Sequence, residues 1–405
     1  MAAPGAAQSV IKAKQTTDRQ LAIASHIVCY TEQMKKFFVV LLGVAISVLV
    51  LGFMFYQYAF TPTESPIPNT TVAATQEITV LATNLNVPWD VAKLPSGDLL
   101  VTERTGDLLR LLPPGEIKRV QVPQVAPRGE GGLMGIVLHP NFSQNNWIYL
   151  YRTIETTKGR DNEVVRFIYN DDHTLSDETI IISNLRGASY HDGGALSFGP
   201  DGLLYIATGD AGMPELAQDL DSLAGKILRV TDTGEVPADN LYNSAVYSIG
   251  HRNPQGLAWD TEGQLWSTEH GRSGLQSGFD ELNRIEPGAN YGWPQSQGDT
   301  VLPGTIGPVA HSGTVDTWAP ASLAADGDTF YFAGLRGQRL YKATMNLDRE
   351  SVNLEAFFSE EYGRLRAARI FNGTLYTTTS NRDNRGNVNQ GDDKLIAIPL
   401  ELLRD

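Results

Sequence analysis

From Glu77 onward one pattern of apolar and polar positions returns along the chain: an apolar strand, a turn ending in Gly or Asn, a second apolar-rich strand, then a polar loop. The copies read WDVAKLPSGDLLVTERTG from Trp89, GIVLHPNFSQNNWIYLYRT from Gly135 and ALSFGPDGLLYIATGDAG from Ala195. They continue as GLAWDTEGQLWSTEHG from Gly256, SLAADGDTFYFAGLRG from Ser322 and ARIFNGTLYTTTSNRD from Ala368. The turn positions Gly97, Asn146, Gly202, Gly263, Gly327 and Gly373 stand roughly 46 to 64 residues apart, near the blade period of propellers. Alternation within LLYIAT and TLYTTT has the period of two expected of a strand with one buried face. Six such units predict an all-β, six-bladed β-propeller over 77–405, in which radial repetition leaves only short sheet edges. A linear β-solenoid would need much shorter repeats. Glu77 to Leu81 and Leu395 to Ile398 both read as strands, so the first is expected to complete the blade that the last begins.

A different pattern precedes the repeats. From Phe37 to Phe60 no residue is charged, and the run is long enough to cross the ~30 Å hydrocarbon layer as one helix. Lys35 and Lys36 stand directly before it, with Lys12, Lys14 and Arg19 further upstream. The positive-inside bias therefore leaves 1–36 in the cytoplasm, makes 37–60 a single-pass transmembrane anchor, and sends the propeller to the periplasmic or extracellular side. The stretch 61–76, rich in Pro, Thr and Ser, reads as a linker. A secretory signal is the competing reading, with Met34 as an alternative start. The apolar run is longer than a usual signal core, and no small-x-small cleavage site follows it cleanly. Both readings export the domain. The chain's single cysteine, Cys29, lies on the cytoplasmic side, so the exported part is expected to have no disulfide.

Composition narrows the class further. With 41% hydrophobic and 19% charged residues the chain can bury a large core, and Gly 39 with Pro 21 favours many turns between short strands. The formal net charge of −14 argues against nucleic acid, whose phosphates are bound by Lys and Arg. No Gly-rich dinucleotide fingerprint stands between a strand and a helix, and no Cys/His cluster has zinc spacing.

Polar clusters fall in the loops between these strands, where function is generally placed on a rigid scaffold. His191, in Tyr190-His191-Asp192-Gly193-Gly194, is a candidate general base, since imidazole titrates near neutrality. Its plainer reading is a histidine that satisfies a turn. Arg252 in the run from Gly250 to Gly256 could stabilise a developing negative charge, or bridge two blades by a salt bridge. Arg336, Arg364 and Arg366 concentrate positive charge late in an acidic chain; any one of them alone would read as a solvated surface charge.

Taken in order, the motifs HDGG, GD-G, GHRNPQG, EHG, DELN, NYGWP and RLR resemble those of the quinoprotein glucose/sorbosone dehydrogenases, most closely the aldose sugar dehydrogenases that use pyrroloquinoline quinone (PQQ). The resemblance runs from about Asn84 to Gly391. It implies oxidation of the C1 hydroxyl of an aldose to a lactone, with hydride passing to PQQ. It also implies that His191 is the base and Asp210 orients it. Arg252 would then stabilise the reduced quinone and Asn253 contact the cofactor. Arg336, Arg364 and Arg366 would hold the three PQQ carboxylates. Calcium would be bound by the carbonyls of Gly271 and Arg272, with a second, structural ion at Glu281 and the carbonyl of Tyr291. The electron acceptor beyond PQQ stays open, between a membrane quinone and a cytochrome.

Three positions depart from the family pattern. Glu130 stands where a Gln is expected beside the cofactor, and a carboxylate there is unfavourable unless Arg128 or another cation offsets it. Arg272 replaces the Pro that commonly follows EHG, and the stretch from Arg272 to Phe279 is longer than usual. Two other functions share this architecture: a calcium-dependent lactonase or esterase, with His191 as base for water, and a non-catalytic sugar- or protein-binding propeller.

Overall fold

A computed structural model describes residues 77–113, 115–273 and 278–404, and all of these lie in one compact unit, Ala73–Asp405. The expected cytoplasmic segment, membrane span and linker lie outside the described residues. Among the described residues, no helix is long and apolar enough to cross a membrane.

The repeats become six four-stranded antiparallel sheets, each a simple meander. Blade one covers residues 88–121, blade two 133–186, blade three 196–249, blade four 254–311 and blade five 320–357. Blade six takes 369–399 and borrows its outer strand, Thr79–Ala82, from the start of the domain. That strand pairs antiparallel with Leu395–Pro399, with Thr79 opposite Ala397 and Val80 opposite Ile396. The expected closure is therefore present. Each sequence repeat corresponds to the inner two strands of one blade. The turn residues Gly97, Asn146, Gly202, Gly263, Gly327 and Gly373 all have positive φ, between 55° and 96°, which glycine adopts freely and asparagine tolerates.

Six hydrophobic clusters hold the ring together, one between each pair of neighbouring blades. The second strands explain this. In Leu99–Glu103 every residue is buried, with Leu100 facing blade two while Leu99 and Val101 face blade six. Leu204–Thr208 and Leu265–Glu269 are buried along their whole length too. The sequence pattern suggested one buried face, but a blade is covered on both sides, so alternate residues enter two different cores.

Polar side chains bridge the blades where the ring narrows. The hydroxyl of Thr102 donates to the Met134 carbonyl at 2.6 Å, Thr268 to Ala321 at 2.7 Å and Thr378 to Pro88 at 3.1 Å, each reaching the inner strand of the next blade. Asp90, fully buried on blade one, is bidentate with Arg369 of blade six at 2.7 Å on both arms and accepts from the Ile136 amide of blade two at 3.2 Å. Removing one partner of such a pair leaves a buried charge unmet. Arg369→Met is expected to lower stability by about 3–5 kcal/mol, read as a shift of the urea midpoint. A change within about 0.5 kcal/mol, the range of ordinary surface substitutions, would show that Asp90 does not depend on Arg369.

Candidate active site

In a four-stranded meander the loop between strands two and three and the loop leading to the next blade emerge at the same end. Loops of both kinds from all six blades therefore surround one mouth of the ring. They enclose a cavity of about 450 Å³ lined by Glu130, Tyr190, His191, Arg252, His270, Ser273, Ala319, Leu335, Arg336, Arg364 and Arg385. A second cavity of about 490 Å³ lies among Asp201, Arg229, Asp239 and Trp259, at the other ends of the strands of blades three and four.

His191 is fixed from three sides. Its Nδ1 lies 2.7 Å from Asp210 Oδ1, its amide donates to Glu130 Oε2 at 2.8 Å, and its carbonyl accepts from the Ala211 amide at 3.2 Å. A carboxylate oxygen accepts, so Nδ1 carries the hydrogen and the Nε2 lone pair is left for the cavity. Asp210 is fully buried and also accepts from the Gly212 amide at 2.7 Å and from Trp293 Nε1 at 2.9 Å. The TGD motif needs its glycine for contact, because a Cβ on Gly209 would collide with the His191 carbonyl. Buried Lys226 pins the same loop, its ammonium meeting the carbonyls of Leu216, Ala217 and Ala224 at 2.7, 3.1 and 2.8 Å. Burial brings that lysine down to about 8.

The cations gather opposite. Arg252 is buried above the Trp293 ring, 5.3 Å from its centroid, and donates to the His270 carbonyl at 3.3 Å and to Ser273 Oγ at 3.2 Å. Its Nε, the Asn253 Nδ2 and the His270 Nε2 are buried without a hydrogen-bond partner. Arg364 pairs with Asp383 at 2.9 Å, and Arg366 reaches Gln255 at 3.2 Å with its guanidinium over Trp89. Burial, reinforced by the neighbouring Arg104 and Arg364, lowers Arg366 to about 9. Arg364 and Arg385 each meet a carboxylate, while Arg252 Nε and Asn253 Nδ2 are donors without a partner and His270 Nε2 donates or accepts according to its tautomer. The donor set fits a planar polycarboxylate that also offers carbonyl oxygens.

Residues 85–388 match the family model described as Glucose / Sorbosone dehydrogenase. The chain belongs to the glucose/sorbosone dehydrogenase family. It is 35% identical over 254 residues to quinoprotein glucose dehydrogenase B of Acinetobacter calcoaceticus, covering 54% of this chain and 52% of that protein. Against an aldose sugar dehydrogenase of Escherichia coli the figures are 35% over 240 residues, 55% and 62%. These matches thus span less than two thirds of either curated relative. The solved PQQ-bound form of an aldose sugar dehydrogenase from Streptomyces coelicolor superimposes with a TM-score of 0.74 at 38% identity, over 79% of this chain and 97% of that one.

Of the residues singled out by motif, Glu130, His191, Arg252, Arg336 and Arg364 line the cavity, and Asp210, Asn253 and Arg366 support it from behind. Arg336 is exposed at the rim. Glu130 does not face the cavity as a bare charge. Burial alone would raise it, but nearby His270 and Arg385, with hydrogen bonds from the His191 amide and Arg385, bring it down to about 2.

Gly271 and Arg272 begin the adjoining loop. The Gly271 amide donates to Asp280 at 2.8 Å, and Arg272 and Gly278 exchange backbone hydrogen bonds at 2.9 and 3.2 Å. Glu281 and Tyr291 lie away from the cavity. Glu281 accepts from the Gly298 amide at 2.9 Å, and burial together with Glu269 opposite it pushes it up to about 8. Nearby acceptors Asn283 Oδ1 and Gln297 Oε1 are buried and unpaired. Tyr291 stacks on His251, whose Nδ1 meets Glu269 at 2.9 Å. Among the described residues no three His, Cys, Asp or Glu side chains converge as a metal site, so a cation here would need carbonyl or amide oxygens beside any carboxylate.

Sequence reading missed His270, Trp293, Arg104 and Arg385. The first two sit inside EHG and NYGWP and could have been found there. Arg385 has no spacing that marks it out.

Proposed function

We propose that this chain is a quinoprotein oxidoreductase that oxidises the C1 hydroxyl of aldose sugars to lactones, using PQQ and calcium. The observation that carries the reading is the His191–Asp210 pair facing, across one cavity, a cluster of guanidinium groups that a catalytic base alone does not need.

When bound, PQQ supplies the hydride acceptor. His191 Nε2 takes the proton of the C1 hydroxyl, and Asp210 keeps the ring in the tautomer that allows it. The 2.7 Å contact and the Trp293 bond to Asp210 limit rotation of the imidazole. Arg252, buried and with its Nε unmet, supplies fixed positive charge where negative charge develops. Arg336, Arg364 and Arg366 hold the cofactor carboxylates, and the Asn253 amide nitrogen offers a further donor. Carbonyls of Gly271 and Arg272 would hold calcium, which there supplies Lewis-acid polarisation. Glu281, raised by burial beside Glu269, and the unpaired oxygens of Asn283 and Gln297 would favour a second ion near Tyr291.

The uncharged run from Phe37 to Phe60, with basic residues before it, supports a membrane-held enzyme acting outside the cytoplasm. The acceptor that reoxidises the enzyme would then be a membrane quinone or a nearby cytochrome.

Purified protein incubated with PQQ and calcium is expected to reduce a redox dye when given an aldose, and neither apo protein nor sugar alone should do so. Hydrolysis of lactones without quinone, or sugar binding without turnover, would replace this reading with the lactonase or the binding propeller.

A further inference from the structure

The catalytic loop contains a non-glycine residue in an unusual conformation. His191 has φ of 63°, in the left-handed region that costs a side-chain-bearing residue about 1–2 kcal/mol. Such a conformation persists only where the surroundings over-determine it. The Asp210 contact holds the ring but not the backbone. The backbone is held by the Ala211 amide on the carbonyl side and by Glu130 Oε2 on the amide side.

Glu130 is itself anchored twice. Its own amide donates to the Ser189 carbonyl at 3.1 Å, joining the loop before blade two to the loop that carries His191. Its second carboxylate oxygen meets Arg385 Nη1 at 2.7 Å, although Arg385 comes from blade six, 255 residues away. The Arg385 amide in turn donates to Asp383, and Asp383 pairs with Arg364. A chain of hydrogen bonds, joined through the covalent frame of Arg385, thus runs from Arg364 to the amide of the base.

We propose that Glu130 is the positioning residue of His191 and that Arg385 is its counter-charge, so that one ion pair ties the loop of the base to the last blade and hides a carboxylate from an anionic cofactor. This rests on the reading of function above. Both groups line the cavity and Arg385 is half exposed, so the pair sits where substrate and cofactor enter.

The test uses the full chain and two readouts: steady-state kinetics with one aldose in the PQQ- and calcium-loaded enzyme, and PQQ affinity from absorbance titration of apo protein. Glu130→Ala is expected to lower kcat about 10- to 100-fold, the scale of a displaced catalytic group, with KM moving less than about three-fold. Glu130→Gln should recover most of that loss, because its amide oxygen still accepts from His191. Arg385→Ala is expected to weaken PQQ binding about ten-fold by leaving a carboxylate unpaired beside an anion, and Arg385→Ala with Glu130→Gln should regain it. A Glu130→Ala enzyme with wild-type kcat overturns the positioning role. Equal PQQ affinity in the Arg385 single and double variants overturns the counter-charge. An inactive wild type would overturn the reading of function, and the positioning half with it, whereas an active wild type with an unchanged Glu130→Ala overturns this proposal alone.

Discussion

His191→Ala is expected to lower kcat for aldose oxidation by two to four orders of magnitude, roughly the contribution of a positioned general base, while PQQ still binds. No neighbour can take over. Glu130 stands at about 2 and is too weak a base near neutral pH. Burial lowers His270 to about 4, and its Nε2 is enclosed. Stopped-flow reduction of the bound quinone under single-turnover conditions is the cleanest measurement, because it excludes dye reoxidation. Near-wild-type reduction would show that another group, or water alone, takes the hydroxyl proton. Loss of quinone binding along with the rate would instead show that His191 acts mainly as part of the cradle.

A larger structural effect is expected from ending the chain at Asp393. This removes Leu395–Pro399, the strand that joins Thr79–Ala82 to Thr374–Thr378. With it go the buried side chains of Leu395, Ile396, Ile398, Leu400 and Leu403. Burying five such side chains contributes about 8–15 kcal/mol, which matches the whole stability of a typical domain, about 5–15 kcal/mol. The truncated chain is expected to show no cooperative transition in calorimetry and to lose its near-ultraviolet circular dichroism. A sharp transition close to that of the full chain would mean that five blades and a fragment stand on their own.

The blades were legible because each repeats its two best-covered strands. Apolar residues there are dictated by two cores at once, so the signal survives in one sequence. Outer strands were much harder to see. Glu116–Gln121 is mostly exposed, with no buried residue, and Ala310–His311 is only a two-residue pairing. The site was legible where its residues travel in compact motifs, such as His191 with Gly193 or Arg252 with Asn253. It was illegible where the partner comes from a distant blade. Nothing local in the sequence couples Asp90 to Arg369 or Glu130 to Arg385, because ring closure, and not chain spacing, makes them neighbours. That is also why Glu130 read as a departure unfavourable to the cofactor, when its compensating cation lies in the last loop.

The strand Thr79–Ala82 opens the propeller and its partner Leu395–Pro399 is the last strand of the ring, so the first strand holds an unpaired edge until the whole propeller has been made. Arg364 and Arg366 lie on the loop that enters the last blade, and Arg385 lies within that blade. The arginine-lined cavity is therefore complete only in the closed ring, and an anion that needs those arginines would bind only after closure.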